Sequence, residues 1–172
     1  MDLKSKIRNI PDFPKKGIVF YDITTLIKDG SAFRYAVDML VDSCKGKKID
    51  AVIGAESRGF IFGSVVAYEL GVGFIPVRKP GKLPYETYEI SYQLEYGCST
   101  LEMHVDAVKE GDSILIVDDL VATGGTAKAT AEMIEKAGGK IAGFCFLIEL
   151  DFLKPREVLK GYDIFSLVSY DS

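Results

Sequence analysis

The fold of this chain is decided by residues 114–126, which read Ile-Leu-Ile-Val-Asp-Asp-Leu-Val-Ala-Thr-Gly-Gly-Thr. The four consecutive branched apolar residues are typical of a central parallel strand that is buried on both faces. Asp118 and Asp119 are predicted to end this strand, and a small, glycine-rich turn follows them. Apolar residues then recur at helical spacing from Ala127 to Ala137, so the turn is predicted to open a helix. This arrangement can bind both ends of a phosphorylated sugar.

Outside this stretch, short apolar runs alternate with runs whose apolar residues recur at helical spacing. We predict strands at 50–54, 74–77, 141–150 and 162–168, and helices at 33–44 and 61–70. Ser31 is predicted to cap the first of these helices. Strands and helices that alternate over short connections indicate an α/β fold. We therefore expect one domain over residues 1–172, with a central, mostly parallel sheet flanked by helices.

The composition argues against several classes of protein. The 172 residues carry a net charge of −4, which gives no support to a nucleic-acid surface. No apolar run approaches the ~20 residues that a membrane helix needs, so we expect no membrane partner. Cys44 and Cys145 lie in apolar segments and no CxxC pair is present, so we predict buried free thiols and a cytoplasmic location.

The turn at residues 122–126 has residue types that suit a phosphate monoester. Backbone N–H groups at a helix start are unpaired, and the helix dipole favours negative charge there. Gly124 and Gly125 let the backbone approach phosphate oxygens closely, and Thr123 and Thr126 add hydroxyl donors. The turn matches neither the Walker A nor the dinucleotide-binding pattern. By itself it is therefore weak evidence for phosphate binding.

The acidic pair before the turn strengthens that interpretation. Adjacent carboxylates at the end of a buried strand repel each other and lose solvation unless a cation or hydrogen-bond donors meet them. A ribose diol donates two hydrogen bonds, and Mg²⁺ prefers hard oxygen ligands. The alternative is that Asp118 and Asp119 only cap the next helix. Since the pair and the turn share one strand end, we favour ligand binding.

Residues 117–126 resemble the phosphoribosyl pyrophosphate (PRPP) motif of the type I phosphoribosyltransferases, most closely in its adenine phosphoribosyltransferase version. Other stretches resemble that family in the same order, namely Phe-Pro at 13–14, Gly-Ile-Val-Phe-Tyr-Asp-Ile at 17–23, Glu-Ser-Arg-Gly-Phe at 56–60, Arg-Lys-Pro-Gly-Lys-Leu-Pro at 78–84, Leu-Glu-Tyr-Gly at 94–97 and Phe-Leu-Ile-Glu-Leu at 146–150. The resemblance covers essentially the whole chain. It implies a type I phosphoribosyltransferase fold with a small N-terminal hood at 1–30 and a long flexible catalytic loop at 78–100.

The resemblance also implies a divided PRPP site. Its 5′-phosphate residues would be Ala122, Thr123, Gly124, Gly125 and Thr126. Asp118 and Asp119 would hold the ribose hydroxyls. Ser57 and Arg58 would hold the pyrophosphate, often through an unusual peptide geometry. The Arg58 guanidinium suits this role because its fork can pair two phosphate oxygens at once, although a surface ion pair is the alternative for Arg58 alone.

The long loop is implied to close over PRPP and exclude water. Lys79, Lys82 and Tyr96 would contact PRPP, although a solvated basic loop is the alternative for each lysine. Glu95 would be catalytic together with Arg58. Its carboxylate would handle the proton on the adenine imidazole ring while N9 attacks the ribose.

The adenine pocket is implied to lie between two apolar walls. One would be formed by Val19, Phe20 and Tyr21, and the other by Leu150. Main-chain hydrogen bonds would then read the amino-substituted purine. The chain departs from the family pattern at Tyr21, where a basic residue is common, so backbone contacts are the expectation at that position.

The reaction implied is that of adenine with PRPP to give AMP and pyrophosphate, a step of purine salvage, with Mg²⁺ on the leaving group. Asp118 and Asp119 are the protein groups nearest to that metal in this interpretation, without direct ligation being assigned. A homodimer is implied by the family alone. Two alternatives stay open, namely transfer to another purine and a non-catalytic regulator that senses PRPP.

Overall fold

The computed structural model describes residues 1–93 and 97–172. In these ranges the strands are β1 (Arg8–Pro11), β2 (Val19–Asp22), β3 (Ala51–Ala55), β4 (Gly73–Val77), β5 (Thr87–Gln93), β6 (Cys98–His104), β7 (Ser113–Val121), β8 (Lys140–Leu150) and β9 (Ile164–Tyr170). The helices are α1 (Thr24–Lys28), α2 (Gly30–Asp42), α3 (Gly59–Leu70), α4 (Gly125–Lys136) and α5 (Pro155–Val158), with short 3₁₀ turns at Lys4–Lys6 and Asp151–Leu153.

A parallel sheet lies at the centre of the molecule. Among the described residues it has five strands in the order β4-β3-β7-β8-β9, and each neighbouring pair is parallel. Ile116 on β7 lies opposite Ile53 on β3, and Phe144 on β8 lies on its other side. The predicted α/β fold with a central sheet is confirmed, and β7 is the central strand that residues 114–117 indicated.

The side chains of β7 alternate between two apolar layers. Leu115 and Val117 pack into the layer formed with α2 and α3, and Ile114 and Ile116 into the layer formed with α4 and β6. All four residues are buried. A strand that is covered on both faces has no polar side to present, which explains the continuous apolar run in its sequence.

In the described ranges, two antiparallel pairs of strands lie outside the central sheet. β1 pairs with β2 near the N-terminus, and β5 pairs with β6. Arg78 forms an isolated antiparallel bridge to Glu102, which joins the segment after β4 to strand β6. The segment at 78–100, predicted to be a catalytic loop, is described over 78–93 and 97–100, and it includes β5 and the first residues of β6.

The cap of α2 differs from the prediction. The helix begins at Gly30, and Asp29 rather than Ser31 is its N-cap. The Asp29 carboxylate accepts hydrogen bonds from the N–H groups of Ser31 and Ala32, both at 3.1 Å. Asp29 is favoured as the N-cap because its carboxylate also pairs with the Lys6 ammonium at 2.8 Å. Sequence periodicity does not reveal this partner.

The helices in the described ranges include none that is long and apolar enough to cross a membrane. Cys44 and Cys145 are buried free thiols, as predicted.

Candidate active site

The candidate site is a cavity at the carboxyl ends of β3 and β7. Because these strands are parallel neighbours, the segments that follow them meet at one edge of the sheet. The cavity has a volume of about 470 Å³. It is lined by Phe20, residues 55–58, residues 118–127 and Phe146. The glycine-rich turn at residues 122–126 (the phosphate turn of the prediction) and the adjacent acidic pair therefore share one cavity with the Ser57-Arg58 turn, which lies far from them in sequence.

The phosphate turn, residues 122–126, places the N-terminus of a helix at the cavity. Helix α4 begins at Gly125, and Gly124 precedes it with φ of 90°. A Cβ at Gly124 would lie 3.2 Å from the Pro155 carbonyl oxygen, so both the backbone conformation and the space favour glycine there. Among the described residues, no side chain caps α4 and no acidic residue lies in its first turn. Its N–H groups are therefore left to an anion in the cavity.

The acidic pair lies within β7 rather than at its end, because the strand continues to Val121. Only 4% of the Asp119 surface is exposed. The Arg58 Nε lies 2.9 Å from the Asp119 Oδ2, but this buried oxygen has no hydrogen bond of acceptable geometry to any described residue. Asp118 Oδ1 accepts a hydrogen bond from the Asp119 N–H at 2.8 Å. The pair is thus incompletely satisfied within the described chain.

The pKa values of both carboxyl groups reflect that shortage of partners. Burial raises the pKa of Asp118 well above its usual range, and the neighbouring Asp119 charge adds to the shift. Burial also raises the pKa of Asp119, against the opposing effect of the Arg58 guanidinium. Hydrogen-bond donors or a cation from a ligand would stabilise the ionised pair, so the site favours a ligand that carries them.

Gly59 makes room for the acidic pair. An added Cβ at this position would lie 2.7 Å from the Asp118 Oδ1 and 3.4 Å from the Val117 carbonyl oxygen. Gly59 is buried and is the first residue of α3. The close approach of α3 to β7 therefore requires a residue without a side chain here.

The turn after β3 carries the guanidinium group of the site. The Glu56–Ser57 peptide bond is cis, in keeping with the unusual geometry implied at this turn. Arg58 is the N-cap residue of α3, and its guanidinium carbon lies 5.2 Å from the centre of the Phe20 ring. Arg58 thus contacts an acidic residue of β7 and an aromatic residue of β2 within one cavity.

Glu56 is a buried carboxylate that lines the same cavity, with 7% of its side chain exposed. It accepts hydrogen bonds from the Lys82 ammonium at 2.8 Å, the Lys79 backbone N–H at 2.6 Å and the Arg78 guanidinium at 3.4 Å. Although burial alone would raise the pKa of Glu56, these bonds and the Arg78 charge lower it to about 2. Glu56 is therefore ionised at neutral pH and anchors the start of the loop.

The residues predicted for the adenine pocket lie in different environments. Phe20 lines the cavity, and Val19 is 45% exposed. The Tyr21 ring is buried, with its centre 4.0 Å from that of Tyr170. Leu150 is buried in the same apolar cluster. The side chains of Tyr21 and Leu150 are thus absent from the described lining of the cavity, which leaves backbone contacts as the expectation for Tyr21.

The loop residues are only partly described. Glu95 and Tyr96 lie outside the described residues, so their predicted roles stay predictions. The Lys79 side chain is exposed, while its backbone N–H is bonded to Glu56. The Lys82 ammonium reaches the cavity lining because it pairs with Glu56. The Lys79 ammonium has no such contact with Glu56 among the described residues.

Comparison with known proteins gives this cavity a context. A model of the phosphoribosyl transferase domain matches residues 26–168. An adenine phosphoribosyltransferase from Clostridium perfringens is 61% identical over 171 residues, which is 99% of each chain. The chain belongs to the adenine phosphoribosyltransferase family.

Solved structures of this family have the same fold. Adenine phosphoribosyltransferase from Thermoanaerobacter pseudethanolicus has a TM-score of 0.96 at 54% identity, with 98% of each chain covered. The enzyme from Saccharomyces cerevisiae has a TM-score of 0.90 at 40% identity, with 96% of each chain covered. That structure is a complex with D-2,5-dideoxy-2,5-imino-altritol 1,6-bisphosphate and adenine.

The acidic pair is the group of side chains that could contribute to a Mg²⁺ site. Among residues 1–93 and 97–172, no cluster of three or more His, Cys, Asp and Glu side chains could hold a metal ion. Mg²⁺, however, is commonly held by one or two carboxylates together with substrate phosphates and water. The buried Asp119 Oδ2 without a hydrogen bond is a suitable oxygen donor for such a shared site.

Sequence reasoning assigned no role to Glu56 or to Phe146, although both line the cavity. A signal for Glu56 is present in the sequence. Glu56 is an acidic residue directly before the Ser57-Arg58 turn, and the basic run that begins at Arg78 offers it partners of opposite charge. Phe146 has no such signal, because its neighbours across the sheet depend on the strand order.

Proposed function

We propose that this chain is a pentosyltransferase that transfers the 5-phosphoribosyl group of PRPP to N9 of adenine, giving AMP and pyrophosphate in purine salvage. The observation that carries the proposal is the convergence of a helix N-terminus without a side-chain cap, an acidic pair with a buried Asp119 and an arginine in one cavity. A bisphosphate compound and adenine in the related yeast structure are ligands of the classes that the proposal requires.

The phosphoribosyl group is held from two sides in this proposal. The first N–H groups of α4 and the hydroxyls of Thr123 and Thr126 donate to the 5′-phosphate. Asp118 and Asp119 accept hydrogen bonds from the two ribose hydroxyls. These bonds supply the partners that the buried carboxylates lack. Ribose binding therefore stabilises both the ligand and the ionised acidic pair.

The pyrophosphate leaves toward the turn after β3. Ser57 and Arg58 bind it there, and Lys79, Lys82 and Tyr96 contact it from the loop. Asp118 and Asp119 are the residues that would lie nearest to Mg²⁺ bound with the pyrophosphate, and the metal would supply charge neutralisation on the leaving group. Arg58 and Lys82 add positive charge on the protein side, which stabilises the departing anion while positive charge develops on the ribose.

Adenine lies on the Phe20 side of the cavity, between residues 19–21 and Leu150. Glu95 accepts the proton released from the imidazole ring as N9 forms its bond to the ribose. We also propose one domain over residues 1–172, with a hood at 1–30 and a flexible catalytic loop at 78–100. We place the reaction in the cytoplasm because buried thiols such as Cys44 suit a reducing compartment, and we propose a homodimer from family membership.

A substrate panel tests the proposal. Adenine, guanine, hypoxanthine and orotate are each supplied with PRPP and Mg²⁺, and pyrophosphate release is measured. We expect turnover with adenine and poor turnover with the other bases. Equal turnover of guanine would overturn the base assignment. PRPP binding without pyrophosphate release in the presence of any of the bases would favour a regulator that senses PRPP.

The role of Glu95 has its own test. Glu95→Gln is expected to lower kcat by about 100-fold while the KM for PRPP stays within about threefold, because general acid–base help is typically worth 10²–10⁴-fold. Glu89→Gln, at an exposed position on β5, is the matched control. An unchanged kcat for Glu95→Gln would remove this residue from the mechanism.

A further inference from the structure

Tyr92 joins the loop hairpin to the phosphate turn. It lies on β5, and its hydroxyl oxygen is 3.0 Å from the Thr126 Oγ1. The Tyr92 ring is half-buried against the layer that contains α4. Its Cδ2 would lie 3.6 Å from a Cβ placed on Gly125. The hairpin therefore reaches the phosphate turn through a ring contact and a hydrogen bond.

The position of Thr126 gives this hydrogen bond a chemical consequence. Thr126 lines the cavity, whereas Tyr92 is not part of the described lining. The Thr126 hydroxyl therefore lies between a ligand on one side and the Tyr92 phenol on the other. A hydroxyl has one proton to donate, so Thr126 can donate to a phosphate and keep its bond to Tyr92 only if Tyr92 is the donor in that bond. Consecutive hydrogen bonds in which each hydroxyl accepts from one neighbour and donates to the next also strengthen one another.

We propose that Tyr92 is a positioning residue for the transfer reaction. Its hydroxyl donates to Thr126, which leaves the Thr126 proton free for the 5′-phosphate of the substrate. The inference rests on the proposed function. Tyr92 also precedes the proposed general base, Glu95, by three residues in the sequence. The contact with Thr126 joins β5 to the turn at residues 122–126.

Tyr92→Phe tests this role because it removes the hydroxyl and keeps the ring. We expect the KM for PRPP to rise about 3- to 10-fold, which corresponds to the free energy of one hydrogen bond. The KM for adenine should stay within about twofold. Tyr88→Phe is the matched control, since Tyr88 lies on the same face of β5 and its hydroxyl makes no hydrogen bond within the described residues. We expect Tyr88→Phe to change neither constant.

A double-mutant cycle separates positioning from general loss of structure. The effect of Tyr92→Phe should vanish in a Thr126→Val background and persist in a Thr126→Ser background, because only serine keeps the hydroxyl. An equal effect of Tyr92→Phe in the Thr126→Val background would overturn the proposal. Equal increases in the KM values for PRPP and adenine would also overturn it.

Binding of ribose 5-phosphate keeps this test independent of catalysis. By isothermal titration, Tyr92→Phe should weaken ribose 5-phosphate about 3- to 10-fold and leave adenine binding unchanged. If the unaltered chain turns over none of the bases, the proposed function fails, while this selective loss would still support the Tyr92–Thr126 link. Unchanged ribose 5-phosphate affinity in Tyr92→Phe would refute the link even in an active enzyme.

Discussion

Glu56 and the Asp118–Asp119 pair line the same cavity, but the protein provides for their charges in opposite ways. Glu56 receives an ammonium, a guanidinium and a backbone N–H, and its pKa falls to about 2. Asp118 and Asp119 share one nearby guanidinium, from Arg58, and burial raises the pKa of both. Glu56, which has its partners, holds the start of the segment at 78–100, whereas the pair with fewer partners is the candidate for ligand binding.

The contrast also separates stability from activity. An ionised group that is buried without enough partners costs free energy of folding, and it persists where a ligand later supplies the partners. An ionised group that is fully paired stabilises the fold and has little left to offer a ligand. The following substitutions test this division, beginning with the largest expected effect.

Asp119→Asn should have the largest effect on activity. The substitution keeps the size of the side chain but removes a charged acceptor for the ribose hydroxyl. We expect kcat/KM for PRPP to fall about 100-fold, which corresponds to loss of a hydrogen bond to a charged group in a buried site. Steady-state kinetics with varied PRPP measure it. Asp106→Asn, at an exposed turn, is the control, and a fall of less than threefold for Asp119→Asn would contradict the assignment.

Gly59→Ala should disturb the acidic pair without changing its chemistry. The new Cβ would need the space of the Asp118 Oδ1, which lies 2.7 Å from it. We expect kcat/KM for PRPP to fall about 10-fold, since overpacking typically costs 1–3 kcal/mol in total. Gly30→Ala is the matched control because no atom lies within 4 Å of the Cβ position there. If both variants have the same kcat/KM, the close approach of α3 is not needed for the pair.

Asp118→Asn should stabilise the protein while it impairs PRPP binding. Since the pKa of Asp118 is raised in the folded state, ionisation costs stability as the pH rises above the ordinary value of 3.8. We expect the free energy of unfolding to increase by about 1 kcal/mol at pH 7, with no gain near pH 3. Urea unfolding at the two pH values measures this difference. Loss of stability at pH 7 would show that Asp118 is paired after all.

Glu56→Gln should lower the free energy of unfolding at neutral pH, and its difference from the unaltered protein should shrink in acid. The pKa of Glu56 falls from 4.5 to about 2 on folding, so its contribution to stability is present above about pH 4.5 and is lost as the pH falls toward 2. Glu56→Gln lacks this component, and its free energy of unfolding should decline less steeply over that range. Urea unfolding between pH 2 and 5 is the measurement. Glu86→Gln, at an exposed site, should keep the original slope.

Much of the fold follows from local sequence patterns. The apolar run at 114–117 predicted a central strand, because burial on both faces leaves no place for polar side chains. The error at the cap of α2 has a tertiary cause, since Asp29 is also held by Lys6 from a segment outside the helix. The strand β7 extends past the acidic pair to Val121, because Leu120 and Val121 still pair with β8.

The candidate site was predictable where its chemistry is local. The turn at 122–126 is recognisable because a helix N-terminus supplies its own donors, whatever lies around it. Its partners were not predictable in the same way. Tyr92 and Thr126 are 34 residues apart, and Lys82 and Glu56 are 26 apart. Each pair meets only because the β5–β6 hairpin and the segment before it fold back over the ends of β3 and β7.

The sequence by itself determined the parallel sheet, the phosphate turn and the presence of an acidic pair. The tertiary structure alone decided which carboxylates are neutralised. Charge compensation depends on which distant cations come within about 4 Å, and that depends on strand order and packing rather than on neighbours along the chain. Residues 114–126 therefore predict where a phosphoribosyl group can bind, and only the fold shows that Glu56 is paired with residues 78–82 while an Asp119 oxygen lacks a hydrogen bond among the described residues.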